Sequence, residues 1–125
     1  MMNIEECIDI VIERFPEKIR LLRLCSDQKQ NVDVYKFMYR AVFKILHMYL
    51  YEDDCEEDIK KHCEFIEMMQ LEGDDEVREF MRTGIMESLE DAEFFINEPL
   101  MKFYEFVSQE FKTSYQEEIE ALYYG

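Results

Sequence analysis

The feature that most constrains this chain is the segment from Asp33 to Tyr51, in which Val34, Phe37, Met38, Ala41, Val42, Ile45, Leu46 and Tyr49 recur at helical spacing. At about 100° per residue these side chains cover nearly the whole circumference. The polar stripe is narrow: Lys36, Arg40, Lys44 and His47. A helix so apolar belongs at the centre of a core and needs neighbours on almost every side. With only 3 glycines and 2 prolines in 125 residues, those neighbours are not expected to be β-hairpins, whose turns draw on both residues.

The rest of the chain supplies helical partners. Asn3 with Glu6 resembles a capping box and opens a helix carrying Ile4, Ile8, Val11, Ile12 and Phe15. Pro16 ends it and starts a short second helix to about Cys25, with Ile19, Leu21 and Leu22 on its apolar side. Ser26 to Val32 is polar and reads as the longest connection. A fourth helix, about Asp54 to Glu72, buries Cys55, Ile59, His62, Cys63, Ile66 and Met69, with Asp53 and Glu56 as its expected cap. Gly73 stops it, and Asp74 caps a fifth helix facing inward with Val77, Phe80, Met81, Gly84, Ile85 and Ser88. Gly84 in mid-helix costs about 1 kcal/mol relative to alanine, so a close approach of a neighbouring helix should offset it. A last helix begins near Asn97-Glu98-Pro99 and runs through Phe103, Val107 and Phe111 toward Leu122, leaving Met101 and Phe106 off its main stripe. The expectation is an all-α, single-domain bundle of about six helices, spanning residues 1–125. Its fourth and fifth helices form a solenoid-like (HEAT-like) pair without further copies.

Charge is the second constraint. The net charge is −16. Residues 1–51 hold 7 acids and 8 bases, whereas residues 52–125 hold 23 acids and 6 bases, so the halves carry +1 and −17. Phosphate backbones and anionic bilayers both attract clustered Lys and Arg, so neither nucleic acid nor a membrane is an expected partner. A basic protein is. Two carboxylate clusters are the candidate contacts: Asp53, Asp54, Glu56 and Glu57 before and within the start of the fourth helix, and Asp74, Asp75, Glu76 and Glu79 at the start of the fifth. They lie at opposite ends of one helix, about 25–30 Å apart by helix rise, so one partner patch should engage one of them. The alternative is a solvated face that serves solubility. The Lys36, Arg40, Lys44 ridge is expected to pair with acids of the second half or to lie over the core's edge; a small anion site including His47 is the other reading.

Motifs of catalysis are absent from the sequence: no Gly-rich phosphate loop, G-x-S-x-G or H-E-x-x-H. Cys55, His62 and Cys63 share a helical face, yet the two thiols stand about 12 Å apart along the axis, too far to share one metal ion, so a hydrogen-bonded core histidine beside buried thiols is the expectation. The stretch Glu52 to Asp58 lacks the central glycine of a calcium loop. No cofactor, metal or enzymatic activity is therefore expected. Met1 to Glu6 shows no basic region followed by an apolar core, and the four cysteines form no C-x-x-C pair, which points to a cytoplasmic protein with reduced thiols.

One resemblance is carried by Phe65-Ile66-Glu67-Met68-Met69, Gly73-Asp74-Asp75-Glu76-Val77 and Gly84-Ile85-Met86-Glu87-Ser88-Leu89, followed by Pro99-Leu100-Met101 and a closing helix. This second half is similar to small acidic all-helical bacterial immunity proteins of polymorphic toxin systems and their uncharacterised relatives. The resemblance implies a protein that neutralises a basic toxin by covering its active site; it assigns no individual residue a role. A helical scaffold, or a homodimer using aromatics such as Phe106, Tyr123 and Tyr124, is the alternative reading, with an enzyme third.

Overall fold

A computed structural model describes residues 1–29, 31–89 and 98–123. Its helices are α1 (Ile4–Arg14), α2 (Ile19–Leu24), α3 (Val34–Met38), α4 (Ile45–Tyr51), α5 (Glu56–Glu72), α6 (Asp75–Ser88), α7 (Glu98–Phe106) and α8 (Gln109–Tyr123). A 3-10 turn, Pro16–Lys18, leads into α2, and a π-helical segment, Tyr39–Lys44, joins α3 to α4 without a break. The described residues form an all-α bundle; its only extended pairings are the isolated bridges Met2–Gly73 and Ser26–Val32.

The apolar segment is as central as its sequence requires. Phe37, Met38, Ala41, Val42, Phe43, Leu46 and Leu50 are all buried. The π segment explains how three consecutive residues, Ala41, Val42 and Phe43, go inside together. Its i→i+5 bonding puts more residues in each turn, so three neighbours span a narrower arc than in an α-helix. The circumference is not wholly covered, however. Tyr35, Met48 and Tyr51 are exposed, as are Lys36, Arg40 and Lys44, with His47 half-buried. The basic ridge thus lies on the open side of the helix. The ion pairs among the described residues are Arg78–Asp75, Arg78–Glu118 and Arg82–Glu118, so none neutralises the ridge.

α5 is the second hub, packing on α4, α6, α7 and α8. Burial of Ile59, His62, Cys63, Phe65, Ile66, Met69 and Gln70 gives it a broader inner face than the expected stripe. The cap differs from expectation: Cys55 is the N-cap and makes no side-chain capping bond, its thiol donating instead to Glu52 at 3.5 Å, and Asp54 just before it turns the chain with φ 61°. Asp74 does cap α6, accepting from the Val77 N–H at 2.9 Å.

Gly73 stops α5 with φ −75°, an extended and not a left-handed conformation. Space, not φ, selects glycine there: a Cβ would overlap the Met69 carbonyl oxygen and the Val77 side chain. Beside Gly73 the chain's first residues close in. Met2 N–H donates to Glu72 O at 2.9 Å, and Asp74 N–H donates to Met2 O at 2.8 Å.

The expected last helix is two. Ser108 interrupts it, its Oγ accepting from the Phe111 N–H at 3.1 Å, while the Ser108 N–H donates to Glu67 of α5. The break lets Phe103 and Phe111 both stay buried, meeting edge to face at 5.8 Å. Phe106 is half-buried against the core and Met101 is exposed. Asn97 and Tyr124, and the side chain of Tyr123, lie outside the described residues.

Candidate functional site

Three places combine charge with unusual surroundings, and only two of them face outward.

The inward one is Lys18. Its side chain is 7 % exposed, and its ammonium donates to the Ala41 carbonyl within the π segment and lies 2.7 Å from His62 Nε2. His62 is 2 % exposed, with Nδ1 2.7 Å from the Asp58 carbonyl oxygen. A carbonyl only accepts, so Nδ1 carries the hydrogen and Nε2 accepts from Lys18. Phe15 stacks on the imidazole at 4.6 Å between centroids and also underlies the Lys18 ammonium at 4.5 Å. Burial first, and then the Lys18 charge, push the His62 pKa down to about 4; burial pulls Lys18 down to about 8. At neutral pH the pair is therefore a cation held by a neutral imidazole, a backbone carbonyl and a ring face. The core histidine is hydrogen-bonded as expected, to the Asp58 carbonyl one turn away and to a lysine 44 residues earlier in the chain. Cys63 is buried and Cys55 half-exposed. Burial raises the thiol of Cys63, and likewise that of Cys7, to about 12. Among the described residues no group of three or more His, Cys, Asp or Glu side chains could hold a metal ion.

The first outward place is the pair of acidic clusters. Asp53, Asp54, Glu56 and Glu57 are all exposed around the start of α5. In the second cluster, Asp75, Glu76 and Glu79 are exposed, Asp75 while paired with Arg78, whereas Asp74 is engaged as the α6 cap. The structure keeps the clusters apart, separated by the 17 residues of α5, about 25 Å of helix rise.

The second outward place was not foreseen: a pocket of about 200 Å³ between the apolar helix and α6, lined by Tyr35, Tyr39, Phe43, Phe80, Thr83, Gly84 and Glu87. Gly84 explains its floor. A Cβ there would overlap the Phe43 ring, so the missing side chain is the seat of that ring. The expected close approach is thus between the α6 backbone and an aromatic edge. Tyr35 stands over Phe80 in a stack of 4.4 Å with 19° between planes. Steps of three and four residues along α6 place Glu76, Phe80, Thr83 and Glu87 in one row, with Glu79 beside it, so the second acidic cluster continues to the pocket mouth. The sequence signal available was Tyr35, an aromatic outside the inward positions, aligned with Tyr39 one turn on.

On the far side of α6 the charges are consumed internally. Glu118 of α8 accepts from Arg82 at 2.9 Å and from Gln70 Nε2 at 2.8 Å, and Gln70 also donates to Ser114 at 3.0 Å. This network ties α8 to α5 and α6. It divides α6 into a side used for folding and a side left to solvent.

The fold and these surfaces define an acidic all-α bundle with an open, ring-lined carboxylate face. Residues 8–123 match the family described as a domain of unknown function, DUF7674, and the chain belongs to that family. No curated protein and no solved structure matches the chain. Among the described residues, no helix is long and apolar enough to cross a membrane.

Proposed function

We propose that this protein is an acidic protein-binding module that docks a basic protein partner, and that it acts as an immunity-type protein neutralising a toxin. The observation that carries the reading is the solvent-facing row Glu76, Glu79 and Glu87 on α6, left out of the internal ion pairs, which use Arg78 and Arg82 with Asp75 and Glu118. Carboxylates that served only to hold the fold would be drawn into such pairs; a row beside a pocket steers and then orients a cation-bearing surface. Of the two clusters expected from the sequence, the α6 cluster is favoured, because it adjoins a concave surface.

The test is charge reversal at each end of α5. Glu76→Lys with Glu79→Lys should weaken binding of a basic partner by at least tenfold at low salt and flatten its salt dependence; Asp53→Lys with Glu56→Lys should change it much less. Co-expression with a toxin-like reading frame encoded beside this gene tests the immunity role. Cells that are not rescued remove that role, and equal effects of the two reversals remove the α6 assignment.

A further inference from the structure

The pocket beside the α6 row is too small for a cofactor or a metabolite of drug size, whose sites run from about 300 to 1,000 Å³. At about 200 Å³ it matches one long side chain. Four of its seven lining residues are aromatic, and the stacked pair Tyr35 and Phe80 comes from two different elements. Tyr35 is 68 % exposed, yet its ring is held in place by that stack. Ring faces attract cations through their quadrupole.

The ionisable lining groups settle the sign. Among the described residues, Glu87 lines the pocket, no lysine, arginine or histidine does, and the remaining polar groups are the Thr83 hydroxyl and the two tyrosine phenols. Lys36, Arg40 and Lys44 follow Tyr35, Tyr39 and Phe43 in sequence and form the exposed ridge beside the pocket, but none of them lines it; Lys36 lines a different depression with Leu24, Ser26 and Asp33. Glu76 and Glu79 extend the negative field along α6. An apolar anchor would fill the cavity but leave Glu87 unused. A cation with an apolar stem uses both.

Between the two natural candidates, arginine fits better. Its guanidinium is planar, stacks on aromatic faces, is less strongly hydrated than an ammonium and meets a carboxylate with two donors. We infer that this pocket receives one arginine side chain of the basic partner, its guanidinium between the Tyr35–Phe80 pair and Glu87. The inference rests on the proposed reading of a basic protein partner and adds the residue by which that partner is held.

The experiment uses the full chain and defined probes. N-acetylargininamide and N-acetylnorleucinamide are titrated while amide resonances are followed by NMR; hexalysine is titrated in parallel at low and high salt. The argininamide should shift the amide signals of Thr83 and Gly84 saturably, and the norleucinamide should not. Tyr35→Leu, a change at an exposed ring, should weaken argininamide binding about tenfold. Glu87→Gln should weaken it several-fold, and Tyr35→Leu should weaken hexalysine binding far less than argininamide binding. Equal binding of norleucinamide overturns the cationic assignment, and insensitivity to Tyr35→Leu overturns the pocket. If hexalysine then still binds in a salt-dependent way, the basic-partner reading survives without the pocket. If hexalysine fails as well, both readings fall.

Discussion

The molecule places positive charge against aromatic rings in one site and offers rings without such a charge in another. At Lys18 the ammonium rests on Phe15, and its hydrogen bonds go to Ala41 and His62, all within the core. At the α6 pocket the rings of Tyr35 and Phe80 are similarly arranged beside a polar group, but that group is the carboxylate Glu87 and the pocket opens to solvent. The first assembly is complete and its worth is structural. The second is half of the same kind of assembly. The same chemistry serves folding where the cation comes from within the chain; under the proposed reading it serves recognition where the cation comes from a partner.

The largest effects are expected at the closed site. His62→Ala removes the acceptor and a stacked ring, leaving the Lys18 charge buried with one fewer partner. A loss of about 3–5 kcal/mol is expected in urea unfolding at neutral pH. Lys18→Met, which removes the charge while keeping most of the volume, should stay within about 1.5 kcal/mol of the parent. If the two variants are equally destabilised, the charge is not what makes the site costly.

Titration sharpens the same point. His62 has a folded pKa of about 4 against an ordinary 6.5, so the unfolded chain binds the extra proton between those values and stability falls as pH drops from 6.5 to 4. Lys18 has a folded pKa of about 8 against 10.5. Between those values the unfolded chain again holds the extra proton, so this group's contribution rises with pH from 8 to 10.5. Each limb is on the order of 3 kcal/mol at full extent. Comparing unfolding free energies of the parent with Lys18→Met across pH 7 to 10 isolates the alkaline limb, which the variant should lack.

At the open site the effects on stability are smaller. Gly84→Ala gains helix propensity of about 1 kcal/mol but drives a methyl into the buried Phe43 ring, for a net loss of about 1–2 kcal/mol, measured as a lowered Tm. Tyr35→Leu, at an exposed position, should change stability by no more than about 0.5 kcal/mol. A large drop would mean that the stack with Phe80 holds the fold together.

Helix content and the central segment were legible because they rest on local rules: the 3.6-residue recurrence from Val34 to Tyr49, the Asn3 and Asp74 caps, and the punctuation at Pro16 and Gly73. The oddity of Gly84 was legible too, as a glycine where alanine would be better. What escaped was long-range. Nothing local to Lys18 distinguishes it from the solvated lysines; its burial follows from the Pro16 turn delivering it to His62, 44 residues away. The break at Ser108 was hidden because Phe103, Val107 and Phe111 keep one helical phase across it, and the Ser108 N–H is held by Glu67 on α5, 41 residues away. The acidic clusters were visible as composition, but which residues remain open depended on Asp74 and Asp75 finding partners. The pocket needed two elements to meet, and no single-helix pattern reports that.

The bridge between Met2 and Gly73 links one end of the chain to the head of the carboxylate row. Met1, 91 % exposed, therefore sits beside the α5–α6 turn instead of trailing at a remote pole. A fluorophore attached there would lie close to Asp74 and Glu76 and so register, by quenching or depolarisation, the arrival of anything that settles on α6. The clip that closes the bundle thus doubles as an address for an optical probe, one placed without altering a single carboxylate.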